Sequence, residues 1–140
     1  MAAGGVSTVL AGIPCAFPAL TRAEKLSRRA ARVGFDWPDA QAVRAKVLEE
    51  VAEIDAAGAA ASAGGSPALA EELGDLLFAI VNWSRHLDVD AEAALRAANL
   101  KFERRFETME RLASGRGRRL EELSAAEWDQ LWREAKLNRT

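Results

Sequence analysis

The chain has 140 residues, 49% hydrophobic and 29% charged, which predicts one ordinary core and excludes disorder over most of its length. Lys and Arg number 19 against 21 Asp and Glu, a net charge of -2, so attraction to nucleic acid by bulk positive charge is excluded and any anion must be met locally. The single cysteine, Cys15, excludes an internal disulfide and a disulfide-stapled secreted fold, and leaves the cytoplasm as the expected compartment.

No charge precedes Arg22, so the apolar start lacks the basic region of a signal peptide. Residues 1–16 read as a poorly ordered N-terminal extension to one domain at 17–137. The interior has few β-branched runs, and alanine supplies 30 residues, so propensity predicts an all-α fold. A first amphipathic helix runs from about Ala19 to Val33 and ends at Gly34, before a turn through Phe35, Asp36, Trp37 and Pro38. A second runs from near Asp39 to about Ala57. Residues 58–66, rich in Gly, Ala and Ser, read as a flexible connection. Ser66 as N-cap with Pro67 behind it starts a third helix, to about Leu87. Its run from Leu76 to Val81 is the longest strongly apolar stretch, far short of the roughly 20 residues of a membrane span. A fourth helix follows Asp90 and is interrupted after Ala113 by Ser114-Gly115-Arg116-Gly117. Ser124 and Glu127 form a capping box for the last, with Leu123 and Trp128 placed as a hydrophobic staple. Four to five helices with short loops predict an antiparallel bundle, whose metal sites are built from facing helices.

Helix two carries Glu49-Glu50-x-x-Glu53 and helix three Glu71-Glu72-x-x-Asp75. At about 100° per residue, Val43, Val47, Val51 and Ile54 make an apolar stripe with Glu50 and Glu53 at its edge. Leu69, Leu73, Leu76, Ile80 and Trp83 make a second stripe, and Glu72 and Asp75 hold nearly the same angular positions beside it. Packed as a hairpin on the same side, the stripes bring Glu50, Glu53, Glu72 and Asp75 together. Two like charges about 4 Å apart repel by about 4 kcal/mol at an effective dielectric near 20, so such a cluster needs a neutralising partner. Helix three has no Lys or Arg between Ala68 and Ser84, and of the two cations of helix two, Arg44 and Lys46, only Lys46 stands one turn from an acid of the cluster. A divalent cation answers this, and an all-oxygen ligand set suits Mg²⁺ or Mn²⁺. The rival reading is an ordinary solvated acidic face; the missing Lys or Arg at i+4 weighs against it. A di-iron bundle would need Glu-x-x-His pairs, which the only histidine, His86, does not supply.

On helix four, Leu95, Phe102, Phe106 and Met109 read as the buried stripe, flanked by Lys101 and Arg105. Neither cation has an acid at i±4, so they are either snorkelling side chains or cations for a polyphosphate. Asn99, on the other flank, could bond a ligand or serve packing. Trp128, Leu131 and Trp132 form an apolar face on the last helix, and Trp132 with Lys136 could meet a nucleobase. Trp37 and His86 read as structural, and Arg116, Arg118 and Arg119 as solvated loop residues. Gly115-x-Gly117 lacks the third glycine of a dinucleotide fingerprint, and the chain has no Walker-type loop.

Together, Glu-Glu-x-x-Glu at 49–53, Glu71-Glu72-Leu73-Gly74-Asp75-Leu76-Leu77-Phe78 and Asn99-x-Lys101-Phe102-x-Arg104-Arg105-Phe106 resemble the MazG-type nucleoside triphosphate pyrophosphohydrolases. The likeness extends from about Phe17 to Lys136 and is greatest to the second domain of two-domain members, so a first domain is expected to be missing here. The resemblance implies a homodimer or larger oligomer that hydrolyses NTPs to NMP and pyrophosphate with Mg²⁺. By position, Glu50, Glu53, Glu72 and Asp75 resemble the family's metal ligands, Lys101 and Arg105 its phosphate contacts, and Trp132 and Lys136 residues near the nucleotide. The expected chemistry is attack on phosphorus by a water activated beside the metal, one carboxylate assisting. The rival is a catalytically silent helical module that binds nucleotide without turnover. Neither nucleic acid nor membrane is an expected partner.

Overall fold

A computed structural model describes residues 8–60 and 66–138. Among them every regular element is helical: α1 (Ala19–Arg32), α2 (Ala40–Ala60), α3 (Pro67–His86), α4 (Ala91–Gly115), a 3₁₀ turn (Leu120–Glu122) and α5 (Ala125–Leu137). None is long and apolar enough to cross a membrane. The chain divides into two compact units, one ending at Glu92 and the other beginning at Ala93.

In the first unit α2 and α3 are the main packing pair, and α1 lies against α3. Val43 and Val47 of α2 and Ala79, Val81 and Asn82 of α3 are buried. The expected stripes are thus only partly inside. Val51, Leu73 and Ile80 are exposed, because the buried face of α3 is turned toward Ala79 and Asn82. Asn82 is tolerated there because its Nδ2 donates to the Phe78 carbonyl at 3.0 Å and its Oδ1 accepts from Arg85 Nη2 at 2.9 Å.

The helix ends follow local chemistry. Pro18 offers α1 no side-chain cap, and the free amide of Thr21 instead donates to Glu92 Oε1 at 3.3 Å. At its other end Gly34 turns the chain at φ +98°, donating to Ala31 O at 3.0 Å, while the Phe35 amide reaches back to Ala30 O at 3.1 Å. Asp39 Oδ1 caps α2 by accepting from the Ala42 amide at 2.9 Å. That helix continues to Ala60, beyond the expected end at Ala57, because its alanines outweigh the roughly 1 kcal/mol cost of Gly58 in a helix. Of the expected 58–66 connection, residues 61–65 lie outside the described residues, and Ser66 caps α3 as predicted, its Oγ accepting from Leu69 at 3.1 Å. Residues 1–7 also lie outside them. Residues 8–16 run as turns in which Ile13 is buried and Cys15 is exposed.

The second unit has its own core: Met109 and Ala113 of α4 against Leu131 and Ala135 of α5, with Phe106, Leu120, Leu123, Trp128 and Trp132 packed around them. Leu95 and Phe102, expected in the buried stripe of α4, are exposed, since the core begins only at Phe106. The capping box of α5 is present: Ser124 Oγ accepts from the Glu127 amide at 3.2 Å, and Glu127 Oε1 accepts from the Ser124 amide at 2.9 Å. The loop arginines, expected to be solvated, are ion-paired at the surface. Arg116 forks onto Glu134 at 2.7 and 2.9 Å, Arg118 pairs with Glu127, and Arg119 reaches Glu121 at 3.1 Å.

Candidate metal centre

The antiparallel run of α2 and α3 sets Glu50 beside Asp75 and Ala79 in one cavity, and Glu53 against Glu72 one turn away. Glu50, Glu53 and Glu72 each offer a carboxylate oxygen within 4.8 Å of the others. Asp75 borders the same cavity, of about 250 Å³, with Glu50, Lys46, Trp37 and Phe78. Glu50, expected at the edge of its stripe, is 4% exposed, whereas Glu53 and Asp75 open to solvent.

The electrostatics of this arrangement are unbalanced. Lys46 Nζ meets Glu50 Oε1 at 3.0 Å and Glu49 Oε2 at 3.5 Å, and the Glu50 contact foremost raises the lysine's pKa. That satisfies one oxygen of one acid. Glu50 Oε2 and Glu72 Oε2 are buried with no hydrogen-bond partner among the described residues, an arrangement that costs free energy unless something binds there. The Glu72 carboxyl is pushed up to about 7, first by its contact with the Glu53 carboxyl, then by burial and by the charges of Glu53, Glu50 and Asp75. Carboxylates that close, with inward oxygens unpaired, fit a hard divalent cation; an all-oxygen set without His or Cys suits Mg²⁺ or Mn²⁺. His86 does not join them: its Nε2 lies 2.9 Å from Asp36 Oδ1.

Trp37, read from sequence as structural, does border this cavity. Its amide donates to Asp36 Oδ1 at 2.8 Å, and Asp36 is gripped by Arg85 Nη2 at 2.7 Å and Nη1 at 3.0 Å. A local signal for the cavity was the Asp36-Trp37 pair just ahead of α2; nothing in helical periodicity reports a turn folding back onto α3.

In the second unit, Lys101, Arg104, Arg105 and Lys136 line a cavity of about 500 Å³ with Thr108 and Asn138. Arg104, part of the quoted motif but given no role from sequence, stands three residues after Lys101 and so on nearly the same face. The Trp132 ring has the Arg105 guanidinium 5.3 Å and Lys136 Nζ 5.8 Å from its centroid, and Phe102 6.0 Å away. Its π-surface is therefore already engaged by cations. Asn99 is exposed on α4 and is not among the residues lining that cavity.

Residues 39–109, which include the four acids, Lys101 and Arg105, match the family profile of the MazG nucleotide pyrophosphohydrolase domain. The chain is 43% identical over 129 residues to the nucleoside triphosphate pyrophosphohydrolase of Escherichia coli (strain K12), covering 92% of this chain and 49% of that protein. It is 45% identical over 119 residues to the nucleoside triphosphate pyrophosphohydrolase/pyrophosphatase MazG of Thermotoga maritima, covering 85% of this chain and 44% of that one. The chain thus spans about half the length of these curated relatives. A 68-residue stretch is 44% identical to the uncharacterized protein YabN of Bacillus subtilis, covering 49% of this chain and 14% of that protein. A profile that spans half the chain and takes in the whole acidic cluster places the protein in the MazG nucleotide pyrophosphohydrolase domain family.

Proposed function

We propose that this chain is a Mg²⁺-dependent nucleoside triphosphate pyrophosphohydrolase, converting NTP and water to NMP and pyrophosphate. The observation that carries the reading is the convergence of Glu50, Glu53 and Glu72 within 4.8 Å, with two buried carboxylate oxygens unpaired. Glu50, Glu53, Glu72 and Asp75 hold the ion, Mn²⁺ serving in place of Mg²⁺. When bound, the ion polarises a phosphate oxygen and acidifies water. The protein supplies the rest. Glu50 is oriented by Lys46; Glu53, open to solvent, is suited to take a proton from water. Lys101 and Arg105 are the proposed phosphate contacts of the second unit; neither makes an ion pair among the described residues, and both line a cavity with Lys136. Trp132 and Lys136 are assigned to the nucleotide, and Asn99 to a hydrogen bond with it. The functional domain is placed at 17–137, with 1–16 as an extension.

The apolar side chains Leu48, Val51, Leu73, Leu77, Phe78 and Ile80 are exposed on α2 and α3, which supports a homodimer or larger homo-oligomer in which a second copy covers them. The lone exposed thiol of Cys15 supports a reducing, cytoplasmic setting.

The test is a panel of canonical and modified NTPs assayed for pyrophosphate with Mg²⁺ and with EDTA. Release is expected with Mg²⁺ alone, and Glu53→Gln and Asp75→Asn should abolish it while helicity persists. Nucleotide binding without pyrophosphate release from any NTP would identify a silent binding module instead. Full Mg²⁺-dependent turnover in both variants would refute the ligand assignment.

A further inference from the structure

On α1, Lys25, Arg28, Arg29 and Arg32 recur at i, i+3, i+4 and i+7, one face of the helix. With Ile13 and Phe17 of the preceding segment they line a cavity of about 360 Å³, and no carboxylate is among its lining residues. Four positive charges on one short face, in a chain of net charge -2, make this a local feature and not a reflection of overall composition.

Of the four, only Arg28 makes an ion pair among the described residues. Arg28 Nε pairs with Glu24 Oε2 at 3.1 Å. Arg29 Nη1 donates to the carbonyls of Val9 at 3.0 Å and Ala11 at 2.8 Å, neutral partners that fix the guanidinium in place and leave its charge uncompensated. Lys25 Nζ stands 5.2 Å from the Phe17 ring centroid, and neither it nor Arg32 makes an ion pair among the described residues. A guanidinium already held by two carbonyls loses little freedom on meeting an anion, which favours binding. Ile13, which is buried, and Phe17 give the cavity an apolar side. The volume is that of a small-ligand site and too small for a helix or a folded partner.

We propose that this cavity binds a phosphate-bearing small molecule, its phosphate held by Lys25, Arg29 and Arg32 and any organic part lying against Ile13 and Phe17. The site is separate in sequence from the acidic centre, and the proposal does not depend on the reaction assigned to that centre. A bound phosphate takes the counter-charge that the lining lacks, and forked guanidinium donors match its oxygens.

Calorimetric titration of the whole chain with pyrophosphate and with AMP, in EDTA so that no metal-bridged complex forms, tests this. Three double variants accompany the wild type: Lys25→Ala/Arg32→Ala, Lys101→Ala/Arg105→Ala, and Arg44→Ala/Arg133→Ala as a charge-matched control. We expect Lys101→Ala/Arg105→Ala and the control to retain a binding event that Lys25→Ala/Arg32→Ala weakens at least tenfold. Retention of pyrophosphate binding shows that phosphate alone suffices; a response to AMP only shows that the organic part is required; either supports the site. Isotherms of Lys25→Ala/Arg32→Ala that match the wild type, an equal loss in the control pair, or no binding event outside Lys101 and Arg105 would overturn it.

Discussion

Asp36, outside the carboxylate cluster, ties down the turn that borders it. Its two oxygens accept from Arg85 at 2.7 and 3.0 Å and from the Trp37 amide at 2.8 Å, and His86 Nε2 lies 2.9 Å away. Through these bonds the turn before α2 is tied to the end of α3, and Trp37 is set beside Glu50 and Asp75. The Arg85 hydrogen bonds hold the Asp36 carboxyl well below the usual carboxylate range, with His86 and the Trp37 amide adding to the effect against burial. A depressed acid contributes stability that is full above its unfolded pKa and is lost as the pH falls through the lower, folded value. Arg85, with a side chain only 9% exposed, would be left without its charge partner by Asp36→Asn. That variant should therefore lose about 2 kcal/mol at pH 7, within the range for charge-assisted hydrogen bonds, and the gap from wild type should narrow steadily below about pH 4. Urea unfolding of both proteins from pH 7 to pH 2 measures it; a gap that stays constant with pH would show that the ion pair is not its source.

At the scale of the helix, capping chemistry was legible in the sequence almost residue by residue, because caps depend on side chains within four positions of one another. Ser66 before Pro67 and the Ser124/Glu127 box stand where predicted. Ser124→Ala removes the Oγ that accepts from the Glu127 amide at 3.2 Å and should cost about 1 kcal/mol. Trp128 and Trp132 lie in the core that α5 completes, so their fluorescence during urea unfolding reports it, and an unchanged midpoint would contradict the cap's role. Which face each helix buries was less legible. Periodicity marks Leu73, Ile80, Leu95 and Phe102 as apolar without saying what covers them, and all four are exposed. The buried positions of α3 instead include the small Ala79 and the polar Asn82, which a hydrophobicity pattern underweights.

For the whole molecule, the exposed apolar residues of α2 and α3 lead to a prediction about assembly. Leu77, 54% exposed, belongs to that surface; sedimentation should find the wild type as a dimer or larger, and Leu77→Glu shifted toward monomer. A monomeric wild type at micromolar concentration would remove the self-association reading. The acidic centre itself was legible because two Glu/Asp pairs recur at matched positions on neighbouring helices, and the hairpin brings Glu50, Glu53 and Glu72 within 4.8 Å. The surroundings were not, because Trp37 and Arg85 reach their partners through a turn whose folding no spacing encodes. Titration of the metal-free chain with Mn²⁺, followed by the loss of the free-ion paramagnetic signal, tests the metal site most directly. Saturable binding to the wild type is predicted, weakened at least about tenfold by Glu53→Gln and by Asp75→Asn. Wild-type and variant curves that coincide would contradict it.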